Sequence, residues 1–171
     1  MSYLLLKEKQ VGLDQYLTAK KYLSPAEWRG ETVNKQYDTV VKAIEADKLV
    51  NSPFPSASVE ISVGYWRKEN AIHQWFVDNC QDGEDDCREA LVSREQLETL
   101  KSVCETILLD KNLVGTDDLA KEMLPTSAGF FFGSTDFDEW YYKGLEDTIE
   151  IVNHCLSPEF DQWSFYYQSS W

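Results

Sequence analysis

The chain has 171 residues, 43% of them hydrophobic, six tryptophans, and a formal charge of −14 from 30 acids against 16 bases. That composition excludes a disordered tail and suits one domain that buries roughly two thirds of its unfolded surface. The acidity repels phosphate backbones and counts against direct nucleic-acid binding; solubility or imitation of nucleic acid would each explain it.

The cysteines Cys80, Cys87, Cys104 and Cys155 have no C-x-x-C spacing, and only two histidines accompany them, so a structural zinc site is not indicated. No apolar run approaches the roughly 20 residues that span a bilayer. Met1–Gln10 lacks the organisation of a signal peptide. The expectation is reduced thiols in a cytoplasm, with no membrane association.

In chain order, Leu13–Leu23 (LDQYLTAKKYL) reads as a strand that stops at Ser24-Pro25. Lys35–Leu49 places Tyr37, Val40, Val41, Ile44 and Leu49 at helical spacing. Asn51–Ser58, with two prolines and three serines, is a loop. Val59, Ile61 and Val63 alternate with polar residues as a short strand. A helix is expected from about Tyr65 to Asn79, with Tyr65, Ile72 and Phe76 on one stripe. Trp66, Asn70, His73 and Val77 form the stripe beside it.

An acidic loop, Gln81–Asp86, follows. Ser93 and Gln96 then form a capping-box pattern before a helix burying Leu97, Leu100, Cys104, Ile107 and Leu108. Thr116–Asp118 starts a short helix that ends near Pro125, and Ser127–Gly133 is an aromatic turn. Ser134 or Thr135 is expected to cap the last long helix, whose positive end suits Asp136, Asp138 and Glu139. Its buried stripe is Phe137, Tyr141, Leu145, Thr148 and Val152. The tail Gln162–Trp171 holds five aromatics in ten residues and reads as an edge strand docked on the sheet or a partner-binding arm. Together these elements describe a single α+β domain over 12–171, a small, mostly antiparallel sheet packed by several helices. Residues 1–11 are an N-terminal extension.

Trp66, Arg67, Asn70, His73, Phe131 and Trp140 are the candidate ligand-binding residues. The aromatics would wall an apolar pocket, and Arg67, Asn70 and His73 would supply its polar contacts. The same polar residues equally suit a hydrogen-bonded core. His73 would be the acid–base group if the chain were an enzyme. Asp82, Asp85 and Asp86 offer oxygen ligands to a divalent metal, although D-G-E-D-D does not match an EF-hand loop and a solvated loop is the alternative. Neither a phosphate loop nor a G-x-S-x-G motif is present, so no catalytic residue is assigned and no cofactor is implied.

Four ordered blocks, GLDQYLTAKKYL, VGYWRKENAIHQWFVDNCQDGEDDC, LPTSAGFFFGSTDFDEWYY and the terminal FYYQSSW, resemble a family of small bacteriophage-encoded proteins that has no assigned activity. Members of that family begin at the glycine-leucine-aspartate block, whereas here residues 1–11 precede it. The resemblance implies a phage or prophage genome and action in the cytoplasm of the infected bacterial host. With the acidity and the missing catalytic motif, it points to non-catalytic binding of a host component, chiefly a host protein, as inhibitor or decoy. A small-molecule or nucleotide-binding protein, or an enzyme built on that site, is the second reading. An acidic nucleic-acid mimic is the third.

Overall fold

The computed structural model describes residues 12–25, 35–129 and 132–171; the N-terminal extension and Phe131 lie outside them. Strand β1 (Asp14–Leu23) pairs antiparallel with β2 (Ala57–Arg67) on one side and β4 (Ser164–Ser170) on the other. A three-residue strand, β3 (Ala90–Val92), pairs with β4, giving the order β2-β1-β4-β3. The period of two sorts the side chains. Gln15, Leu17 and Ala19 of β1 and Phe165, Tyr167 and Ser169 of β4 are buried, while Tyr16, Tyr65 and Leu91 are exposed.

Helices α2 (Asn70–Cys80), α3 (Arg94–Leu113) and α5 (Glu139–Cys155) share one apolar core with the sheet, through Phe76, Leu97, Leu100, Leu145 and Val152. The short α4 (Asp118–Met123) adds Ala120 to it. A separate cluster of Leu23, Tyr37 and Val41 holds α1 (Lys35–Ala43) against the far end of β1. The capping box of α3 forms as its sequence predicts: Ser93 Oγ accepts from the Gln96 amide, and Gln96 Oε1 accepts from the Ser93 amide. The architecture is α+β, in one compact domain. No described helix is long and apolar enough to cross a membrane.

Four expectations need correction. The helix expected from Tyr65 begins only at Asn70, because Tyr65, Trp66 and Arg67 remain extended, paired with Tyr16, Gln15 and Asp14 of β1. The chain then turns at Lys68, whose φ of 61° is left-handed. Trp66 therefore shares no helical stripe with Asn70 and His73. The helix expected to reach Leu49 ends at Ala43, before a left-handed Glu45, and a single 3₁₀ turn follows. Asp138, rather than Ser134 or Thr135, caps α5 by accepting from the Trp140 and Tyr141 amides. The C-terminal strand lies inside the sheet rather than at its edge, because β3 pairs along its outer side.

Helix α5 approaches β2 at Gly64, where a β-carbon would lie 2.7 Å from Ile151 Cγ2 and 3.2 Å from Leu17 Cβ. Ile151 is β-branched and has little room to yield. Gly64→Ala is expected to destabilise the fold by about 1–3 kcal/mol through overpacking, read as a lowered midpoint in thermal unfolding. The double variant Gly64→Ala/Ile151→Ala should recover part of that loss. An unchanged midpoint for the single variant would show that the helix does not press on the strand there.

Candidate functional site

The turn from β2 into α2 forms one wall of a cavity of about 410 Å³; the segment from Gly133 to Tyr141 forms the other, and Thr126 also lines it. Asn70 holds the two walls together. This side chain is 4% exposed, and its Nδ2 donates to the carbonyls of Phe132 (3.0 Å) and Ser134 (2.8 Å). Its Oδ1 accepts from the Ser127 amide at 2.9 Å. One amide thus satisfies three backbone groups of an irregular segment that has no ladder of its own. At the rim, Trp140 in the first turn of α5 leaves 70% of its surface exposed.

Glu69 occupies the N-cap position of α2, where an acid ordinarily accepts from the first helical amides. Its side chain makes no capping bond. Instead the carboxyl lies on the backbone of α5 at Gly144, where a β-carbon would collide with both of its oxygens. Among the described residues it has neither a hydrogen bond nor an ion pair. Burial, then the charges of Asp147 and Asp138, push the Glu69 carboxyl up to about 7. A carboxyl poised near neutrality in a cleft is a candidate functional position.

Behind this cavity runs a buried hydrogen-bonded chain. Gln15 Nε2 donates to the Glu69 carbonyl (3.2 Å), and the Tyr167 hydroxyl donates to Gln15 Oε1 (3.1 Å). His73 Nδ1 lies 2.8 Å from that hydroxyl, and its Nε2 lies 3.0 Å from Asp85 Oδ2. Trp171 Nε1 donates to the other oxygen of Asp85. Both ring nitrogens of His73 are thus hydrogen-bonded, one to the sheet and one to the acidic loop. Burial also holds the Tyr167 hydroxyl well above the usual tyrosine range.

Of the residues expected to form a site, Arg67, Asn70 and Trp140 line this cavity. His73 does not: it is fully buried with both nitrogens bonded, so it serves the core network and reaches no pocket ligand. Trp66 is also core; its indole N–H donates to Thr148 Oγ1 at 2.9 Å and ties β2 to α5. The three aspartates proposed for a metal are not brought together as a ligand set. Arg88 lies among Asp82, Glu84 and Asp86, while Asp85 turns to His73. Among the described residues no group of three or more acids, histidines or cysteines is arranged for a metal. Burial pushes the thiols of Cys80, Cys104 and Cys155 up to about 12, which disfavours nucleophilic use.

Glu69 was not singled out in the sequence. An acid just before a helix reads as a cap, and nothing local announces that its side chain turns away. No family model matches the chain, and neither a curated protein nor a solved structure is significantly similar to it.

Asn70→Ala would strand the carbonyls of Phe132 and Ser134 and the amide of Ser127. A loss of about 2–4 kcal/mol is expected, read by denaturant unfolding, with Trp140 fluorescence reporting a loosened rim. Glu69 gives the opposite result. Its folded pKa lies above its unfolded one, so the native state holds the proton longer. Stability is therefore full below about pH 4.5 and falls as pH rises through 7, by up to about 3 kcal/mol. Glu69→Gln should match the wild type at pH 4 and exceed it at pH 8 in thermal unfolding. A variant less stable than wild type at pH 8 would mean that the carboxylate has a partner.

Proposed function

We propose that this chain is a phage-encoded accessory protein that binds a host component without catalysis, as an inhibitor or decoy, through the cavity between the Arg67–Ala71 turn and the start of α5. The observation that carries the reading is Glu69. A half-buried carboxyl with no described partner, facing like charges, opposes folding at neutral pH, and such groups persist where function needs them. Trp140, exposed on the lining of the same cavity, has the character of a binding anchor, a large rigid apolar surface with an N–H donor. The family resemblance supplies the phage setting and the host cytoplasm.

Binding is favoured over catalysis because the expected acid–base group, His73, is sequestered in the core. The second reading, a small-molecule site, draws on the same cavity, whose volume suits a small ligand.

A photo-crosslinking residue at position 140 tests the proposal, with one at position 22 as a control on an exposed residue at the other end of β1. In bacterial extract, adducts are expected from position 140 and not from position 22. Host-protein adducts support the inhibitor or decoy, and small adducts support the second reading. Adducts from position 22 alone, or from neither, would remove the cavity as the docking site.

A further inference from the structure

Taking the cavity as the binding site, we infer that its occupant is a positively charged side chain, an arginine or lysine on the surface of a basic partner protein, held between the Glu69 carboxylate and the face of Trp140. Three observations converge on this chemistry. Glu69 and Asp136 are the carboxyls of the cavity whose side chains have no hydrogen-bond or ion-pair partner among the described residues, and of the two only Glu69 is half-buried; Asp138 already accepts two amides as the α5 cap. An indole exposed at the rim offers a cation its negative π-face. A net charge of −14 draws basic partners and repels acidic ones over long range.

The charges around Glu69 agree. From α5, Asp147 and Asp138 both act on it and disfavour its ionised form, which an entering cation would relieve. Asp147 is held by Lys143 at 2.7 Å. Asp136 adds a further acid to the cavity wall. The two cations of the wall do not neutralise Glu69. Arg67 lies 3.9 Å from Asp14, the stem of Lys68 lies along Gly133, and neither is among the charges that act on the Glu69 carboxyl. The Tyr141 hydroxyl is engaged with the Leu124 carbonyl. A cation entering the cavity thus meets a carboxyl that must first release its proton, so binding is coupled to proton release.

The test uses N-acetyl-arginine amide and its neutral isostere N-acetyl-citrulline amide, titrated into the full chain and followed by the Trp140 indole and Glu69 carboxyl NMR signals. The arginine compound should bind saturably and about tenfold more tightly at pH 8 than at pH 6, as the ionised fraction of Glu69 rises. The citrulline compound should not bind. Glu69→Gln should bind the arginine compound weakly and without pH dependence, and Trp140→Ala should weaken it while leaving the pH dependence. Gly144→Ala, which displaces the carboxyl, should weaken binding with the charge retained. Equal binding of both compounds would overturn the charge assignment while leaving the cavity as a site. pH-independent binding would overturn Glu69 as the counter-ion. No binding of either would overturn the inference, while the crosslinks at position 140 decide separately whether the cavity docks a partner.

Discussion

Tyr167 joins nearly every part of this fold. Its ring stacks on Phe76 with centroids 4.0 Å apart and planes 10° from parallel, fixing α2 to the middle of the sheet. Its hydroxyl meets Gln15 on the neighbouring strand and His73 on the helix, and through His73 it reaches the acidic loop. A buried hydroxyl between two polar partners is directional, whereas apolar contacts are not, so this residue sets the register in which helix and strand meet. The β2–α2 turn inherits its position from the same chain, because Gln15 also donates to the Glu69 carbonyl. The cavity is thus built outward from a rigid interior.

Much of this was legible from residue patterns. Aromatic and leucine residues among polar ones, over a span too short for a helix, give β1 to within a residue, and Ser93 with Gln96 marks the start of α3 to the residue, because both signals are local. The start of α2 was not legible. Tyr65, Trp66 and Arg67 fit a helical wheel as well as a strand, and the deciding partners, Tyr16, Gln15 and Asp14, lie some fifty residues earlier. Lys68 takes its left-handed turn without a glycine to announce it. Strand β3 is too short to show a period. Of the expected site, the residues that line the cavity, Arg67, Asn70 and Trp140, come from two distant stretches of chain. Their meeting rests on Asn70 bonding to the backbone around Ser127–Ser134, which no spacing rule contains.

Two polar centres thus have opposite energetic characters. The His73 chain is saturated with partners and fixes a single arrangement of the core. Glu69, a few ångströms of backbone away, is half-buried without a described partner and faces like charges. Packing stabilises the first and is opposed by the second. A rigid, satisfied interior is what allows an unsatisfied group to be held at the surface without the fold relaxing around it.

The interior place of β4 has a temporal consequence. Asp14 pairs with Ser170 and Lys20 with Ser164, so β1 waits for partners roughly 150 residues further along the chain. At ordinary rates of translation that interval is about ten seconds. Until β4 is made, the edge of β1 that it covers has bare amides and carbonyls, even once β2 is available for the other. The pairing that completes the sheet is among the least local in the chain, and closing so long a loop costs entropy before its contacts form. Its nascent form offers an open strand edge to the chaperones of whichever cell makes it.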